Sequence, residues 1–172
     1  MKLNEYQDMA RETAIYAGAL YYPALGLAGE VCEALEKAND FECSYDEQAA
    51  EIGDVLWYVA NVAKDAGLTL SECATENFDD LGLPHEDDLE LALICAVGPI
   101  FETVKKCIRD EQGHLTKEKR EKIRVSLGIT LNVLAEIAIE LGTTLEKIAE
   151  ANYDKLKSRQ ERGKLHGSGD NR

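Results

Sequence analysis

Apolar residues recur three and four positions apart through most of the chain, and strand-like alternation is almost absent. That periodicity predicts helices throughout. They fall at about 2–18, 22–40, 45–66, 70–81, 87–111, 116–141 and 145–161. Local signals mark the breaks. Pro23 opens the second helix, a polar stretch from Asp40 to Ser44 separates the second from the third, and Gly67 and Gly142 sit just past helix ends. Thr69 and Thr144 follow as N-caps, each having a hydroxyl able to accept a free backbone N–H. Gly82-Leu83-Pro84 divides the chain near its middle. The expected fold is all-α, a helical bundle, and 172 residues fit one domain. A chain of this size buries roughly two-thirds of its unfolded surface and needs no staples.

The pattern also repeats. Residues 53–81 and 128–156 match at eleven of 29 positions, from Gly53/Gly128 through Gly67/Gly142 to Asn77/Asn152 and Leu81/Leu156. Average composition predicts roughly two. Upstream, AGEVCEALEK (28–37) aligns more weakly with VGPIFETVKK (97–106). Convergence of two amphipathic units explains shared apolar positions but not shared glycines, threonines and asparagines. The bundle is therefore expected to consist of two degenerate tandem repeats, about 1–83 and 84–161, followed by a basic, glycine-containing tail over 162–172.

Charge narrows the partners. With 19 basic and 33 acidic residues, neither a nucleic-acid polymer nor an anionic membrane is an expected partner. The five cysteines form no C-x-x-C, and most lie among apolar helix positions. They are expected to be buried thiols in a reducing compartment. No signal peptide is evident and no apolar run reaches the length that spans a bilayer, so the expected location is the cytoplasm.

Two acidic pairs carry the chemistry. Glu30 and Glu33 lie three apart in LGLAGEVCEAL, and Glu51 and Asp54 three apart in AAEIGDVLWYVANVA. Residues at that spacing share a helix face. One such pair usually marks a solvated surface, but two among apolar residues are costly unless a cation neutralises them. If the two helices pack together, four hard oxygen donors converge, and Mg2+ is the natural occupant, with Mn2+ able to substitute. The second repeat has Pro99, Ser126 and Ile129 in place of Glu30, Glu51 and Asp54, and keeps only Glu102 opposite Glu33. One metal site per chain is expected, in the first repeat. Glu36 and Lys37 read as an ordinary exposed pair.

Tyr58 and Asn61 follow Asp54 on the same stripe, either lining a cavity above the metal or packing in the core. Trp57, on another stripe, stacks on a base or belongs to the core. The basic residues of 155–172 contrast with 65–104, where Lys and Arg are absent. Asn152, Lys155 and Arg159 share a helix face suited to phosphate oxygens; alternatively their cations simply complement a helix end. The scattered histidines form no zinc or di-iron motif, and no phosphate-binding glycine loop is present.

Glu-x-x-Glu followed about 20 residues later by Glu-x-x-Asp, each on a helix, resembles the MazG-like branch of the all-α nucleoside triphosphate pyrophosphohydrolases. The likeness covers about 4–81 and 143–170, while 84–127 has no counterpart in the short single-repeat members. The resemblance implies Mg2+ on Glu30, Glu33, Glu51 and Asp54, and phosphate binding by Lys155 and Arg159. It also implies hydrolysis of a (deoxy)nucleoside triphosphate to the monophosphate and pyrophosphate, a nucleotide-pool house-cleaning activity. Glu33 or Glu51 is expected to activate water, with Gln7, Thr13 and Tyr16 near the base. Alternatives are a dUTPase, a phosphoribosyl-ATP pyrophosphohydrolase, or a non-enzymatic helical metal-binding or interaction module. The second repeat acts as a built-in partner in a pseudo-dimeric monomer, or the chain forms a homodimer.

Overall fold

A computed structural model describes residues 1–74 and 88–165. Among the described residues the chain is all-helical, in the order α1 (Leu3–Glu12), α2 (Tyr21–Ala38), α3 (Tyr45–Asp65), α4 (Leu70–Cys73), α5 (Leu89–Glu111), α6 (Lys117–Glu140) and α7 (Leu145–Glu161). No single helix among them is long and apolar enough to cross a membrane.

Helix α3 is the axis, packed by α1, α2, α6 and α7. Its Ile52, Val55, Leu56, Val59, Ala60, Val62 and Ala63 are all buried, so it is apolar around most of its girth, as an interior helix must be. Ser44 and Glu47 start it with a reciprocal capping box. Helix α2 lays Ala24, Leu27, Val31 and Ala34 onto it. At Gly26 the approach is so close that an added Cβ would lie 2.0 Å from the Tyr58 ring.

The turns at Gly67 and Gly142 are built alike. Gly67 and Gly142 have φ of +68° and +72°, the left-handed region that glycine enters freely. The amide of Leu68 reaches the Ala63 carbonyl at 2.8 Å, and that of Thr143 reaches Ala138 at 2.9 Å. Thr69 and Thr144 then cap α4 and α7. The halves are joined by α6, whose Arg120 donates to the carbonyls of Ala66 and Gly67, and whose Arg124 donates to that of Glu72.

The structure corrects three expectations. The first helix stops at Glu12 instead of running to 18, because the Thr13 hydroxyl donates to the Ala10 carbonyl and accepts from the Trp57 indole N–H. Tertiary bonding thereby ends a segment whose periodicity continues. Cys73 and Cys107 are buried, but Cys32 and Cys95 are exposed, on outward faces of α2 and α5. Lys37 is not a plain surface residue, since its ammonium lies 3.7 Å from Glu51. The predicted continuation of the fourth helix over 75–81, the Gly82-Leu83-Pro84 break and the final tail from 166 lie outside the described residues.

Gly26→Ala should destabilise the protein by about 1–3 kcal/mol, the usual cost of overpacking. Denaturant unfolding of the single variant and of Gly26→Ala/Tyr58→Ala checks this, because removing the ring should recover much of the loss.

Candidate functional site

Helices α2 and α3 bring Glu30, Glu51 and Asp54 together, with one carboxylate oxygen of each lying within 4.8 Å of the others. Glu51 is 4 % exposed, while Glu30 and Asp54 are half-buried. Burial, reinforced by the charges of Asp54, Glu33 and Glu51, pushes the Glu30 carboxyl up to about 7. Crowded hard oxygens that resist ionising together are the donor set a small divalent cation satisfies. Glu33 stands outside this three-way group and is exposed, although its charge still acts on Glu30.

Cationic and amide groups from the far end of the chain complete the site. The Lys155 ammonium lies 2.7 and 2.6 Å from the two oxygens of Asp54, and the Asn152 amide donates to one of them at 2.8 Å. Asn152 in turn accepts the Tyr6 hydroxyl at 2.9 Å, and burial beside Asp54 pushes the Tyr6 phenol well up. This network requires α7 to lie close to α3. A Cβ at Gly53 would meet that of Asn152 at 3.0 Å. Beside the network a cleft of about 370 Å³ runs between α3 and α7, lined by Tyr45, Ala49, Thr143, Lys147, Asn152 and Lys155.

The remaining predicted residues divide. Tyr58 is half-buried between Gly26, Trp57 and Tyr22. Burial, then the Glu30 charge, pushes its phenol up to about 12, so it borders the acids as a neutral hydroxyl. Asn61 is 1 % exposed; its amide donates to the Trp57 carbonyl, and its oxygen accepts from Tyr16 and Arg11. Tyr16 also donates to Asp65 and stacks on Tyr22.

Three of the expected binding residues, Gln7, Thr13 and Arg159, are buried in the bundle. Gln7 is buried, donating to the Ala60 and Leu68 carbonyls and accepting from the Leu70 amide. It is a clamp on the α3–α4 turn, because a buried primary amide must spend its donors and acceptor on backbone. Thr13 is spent in the same way on Ala10 and Trp57. Arg159 is 5 % exposed, packed into the bundle instead of standing open to solvent.

Sequence reasoning missed Tyr6 and Lys37. Lys37 had a legible signal, lying seven residues after Glu30 on the same stripe. Tyr6 had none, since its contact spans 146 positions.

The chain is 38 % identical over 82 residues to the "Gene 37 protein" of Mycobacterium phage L5, covering 48 % of this chain and 72 % of that protein. No family model matches the chain. No solved structure matches it.

Glu30 has its carboxyl raised in the folded state from an ordinary 4.5 to about 7. Its contribution to stability is therefore full below the ordinary value and is lost as pH climbs through about 7. Without divalent cation, thermal melts should show stability falling between about pH 5 and pH 8, and Glu30→Gln should flatten that slope.

Proposed function

The chain belongs to the family of the Mycobacterium phage L5 Gene 37 protein, and on the premise of its acidic centre we propose a divalent-cation-dependent nucleoside triphosphate pyrophosphohydrolase of the MazG-like kind. The observation that carries this reading is the convergence of Glu30, Glu51 and Asp54 from two packed helices. A dNTP is the favoured substrate, with the monophosphate and pyrophosphate as products. Bound Mg2+ would supply charge neutralisation at the phosphates.

The chain's own groups have distinct parts. Glu30, Glu51 and Asp54 would hold the cation, and Glu33 is the exposed member of its pair. Glu51 or Glu33 orients or deprotonates the attacking water. Lys155 and Asn152, beside the cleft, are placed for phosphate oxygens, and neutral Tyr58 offers a hydroxyl next to Glu30. The second half, read as a degenerate duplicate of the first, supplies α7 in the manner of a fused partner. Its own acid, Glu102, is exposed and paired with Lys105 and Lys106, which hold its carboxyl below the usual range.

A non-enzymatic reading has one specific support. Lys155 on Asp54 and Lys37 near Glu51 are what a purely structural ion-pair cluster would contain. Calorimetry separates the two, since an enzyme site binds Mg2+ and a non-hydrolysable nucleotide cooperatively and a structural cluster does not.

Incubation with each dNTP and Mg2+ should release pyrophosphate from at least one, and silence across the panel, dUTP included, counts against the proposal. Glu51→Gln should reduce kcat by at least about 100-fold, with Glu102→Gln close to wild type. Equal losses would point to two working sites.

A further inference from the structure

We propose that Lys155 is a built-in counter-ion: it seats on Asp54 when no divalent cation is bound, gives way to that cation, and turns into the adjoining cleft to meet the phosphates of an incoming nucleotide. This rests on the cation-binding reading above and adds the residue that couples cation to anion.

Two donors reach Asp54. Asn152 holds one oxygen at 2.8 Å, and Lys155 touches both at 2.7 and 2.6 Å. They differ in kind. Asn152 is neutral, 4 % exposed and pinned on its other side by Tyr6, itself 2 % exposed. Lys155 is a point charge on a flexible four-carbon stem, and its side chain retains 24 % exposure. An ammonium and a dication on one carboxylate repel each other at contact distance. When a cation enters, the mobile charged donor leaves and the fixed neutral one stays.

The cleft gives Lys155 somewhere to go. Lys155 already lines it, together with Lys147 and Thr143. Asp46 also lines the cleft, but two ammoniums there outnumber that one carboxylate, so bringing Lys155 near Lys147 favours a further anion. Cation binding at Asp54 therefore raises the affinity of the cleft for phosphate, and phosphate favours the cation in return, as reciprocity requires. Free Mg2+ displaces Lys155 without giving the ammonium a new partner, whereas Mg2+ arriving with a polyphosphate brings one.

Isothermal titration of the full chain with Mg2+ alone, and with Mg2+ plus inorganic tripolyphosphate, tests the proposal. Lys155→Met keeps the stem and removes the charge. It should bind Mg2+ alone about tenfold more tightly than wild type and should lose the enhancement by tripolyphosphate. Equal or weaker Mg2+ binding by the variant overturns the proposal while leaving the parent reading intact. Absence of Mg2+ binding by both proteins overturns both. Should the variant fail to fold, amine acetylation of wild type decides: Lys155 reactivity should rise on saturation with Mg2+, and an unchanged footprint overturns the proposal.

Discussion

The mutual repulsion of three carboxylates packed between two helices is the constraint around which this molecule is arranged. Glu30, Glu51 and Asp54 cannot separate, because the helices that carry them are locked by van der Waals contact. Gly26 rides on the Tyr58 ring with no room for a methyl group, and Leu27 and Val31 of α2 are buried on either side of Glu30. Tight packing thus concentrates negative charge where water cannot fully screen it. Burial first, and then the charges of Asp54, Glu33 and Glu51, raise Glu30 to about 7.

Relief comes from groups remote in sequence. Lys155 and Asn152 lie about a hundred positions beyond Asp54, and Tyr6, near the chain's start, steadies Asn152. The acidic centre is therefore also a long-range tie that fixes α1 and α7 on α3. The groups that carry the proposed binding chemistry also hold the helices together. No donor of this network can be removed without leaving another group unsatisfied.

Much of this was legible in the chain itself. Helices α2, α3, α5, α6 and α7 fall within two residues of the expected bounds, because buried faces, glycine stops and threonine caps all agreed locally. The acids Glu30, Glu51 and Asp54 were visible as charged pairs inside apolar runs. What escaped was decided by contacts between distant segments. Gln7 and Thr13 resemble pocket residues in a sequence, yet both are consumed by backbone groups. The early end of α1 depends on Trp57, 44 positions away from Thr13. Arg159 lies on the stripe of Lys155 but is buried, since helical periodicity alone cannot tell which part of a stripe meets the core.

Among the described residues the second half holds no acidic cluster like that of Glu30, Glu51 and Asp54. Its α5 and α6 pack on each other as α2 and α3 do, and the corresponding groove is lined by Pro99, Glu102, Ser126 and Ile129 together with Lys106, Lys119 and Lys122. Proline, serine and isoleucine stand where three carboxylates would be needed, and Glu102 is neutralised by Lys105 and Lys106. Glu121 also lines that groove, but it is paired with Arg124, so each of the groove's two carboxylates has a basic partner. Its half contributes through geometry instead. The turn at Gly142 aims α7 back across α3, and α7 delivers Asn152 and Lys155 to Asp54. Negative charge is concentrated on α2 and α3, and the lysine that offsets it at Asp54 is carried on α7.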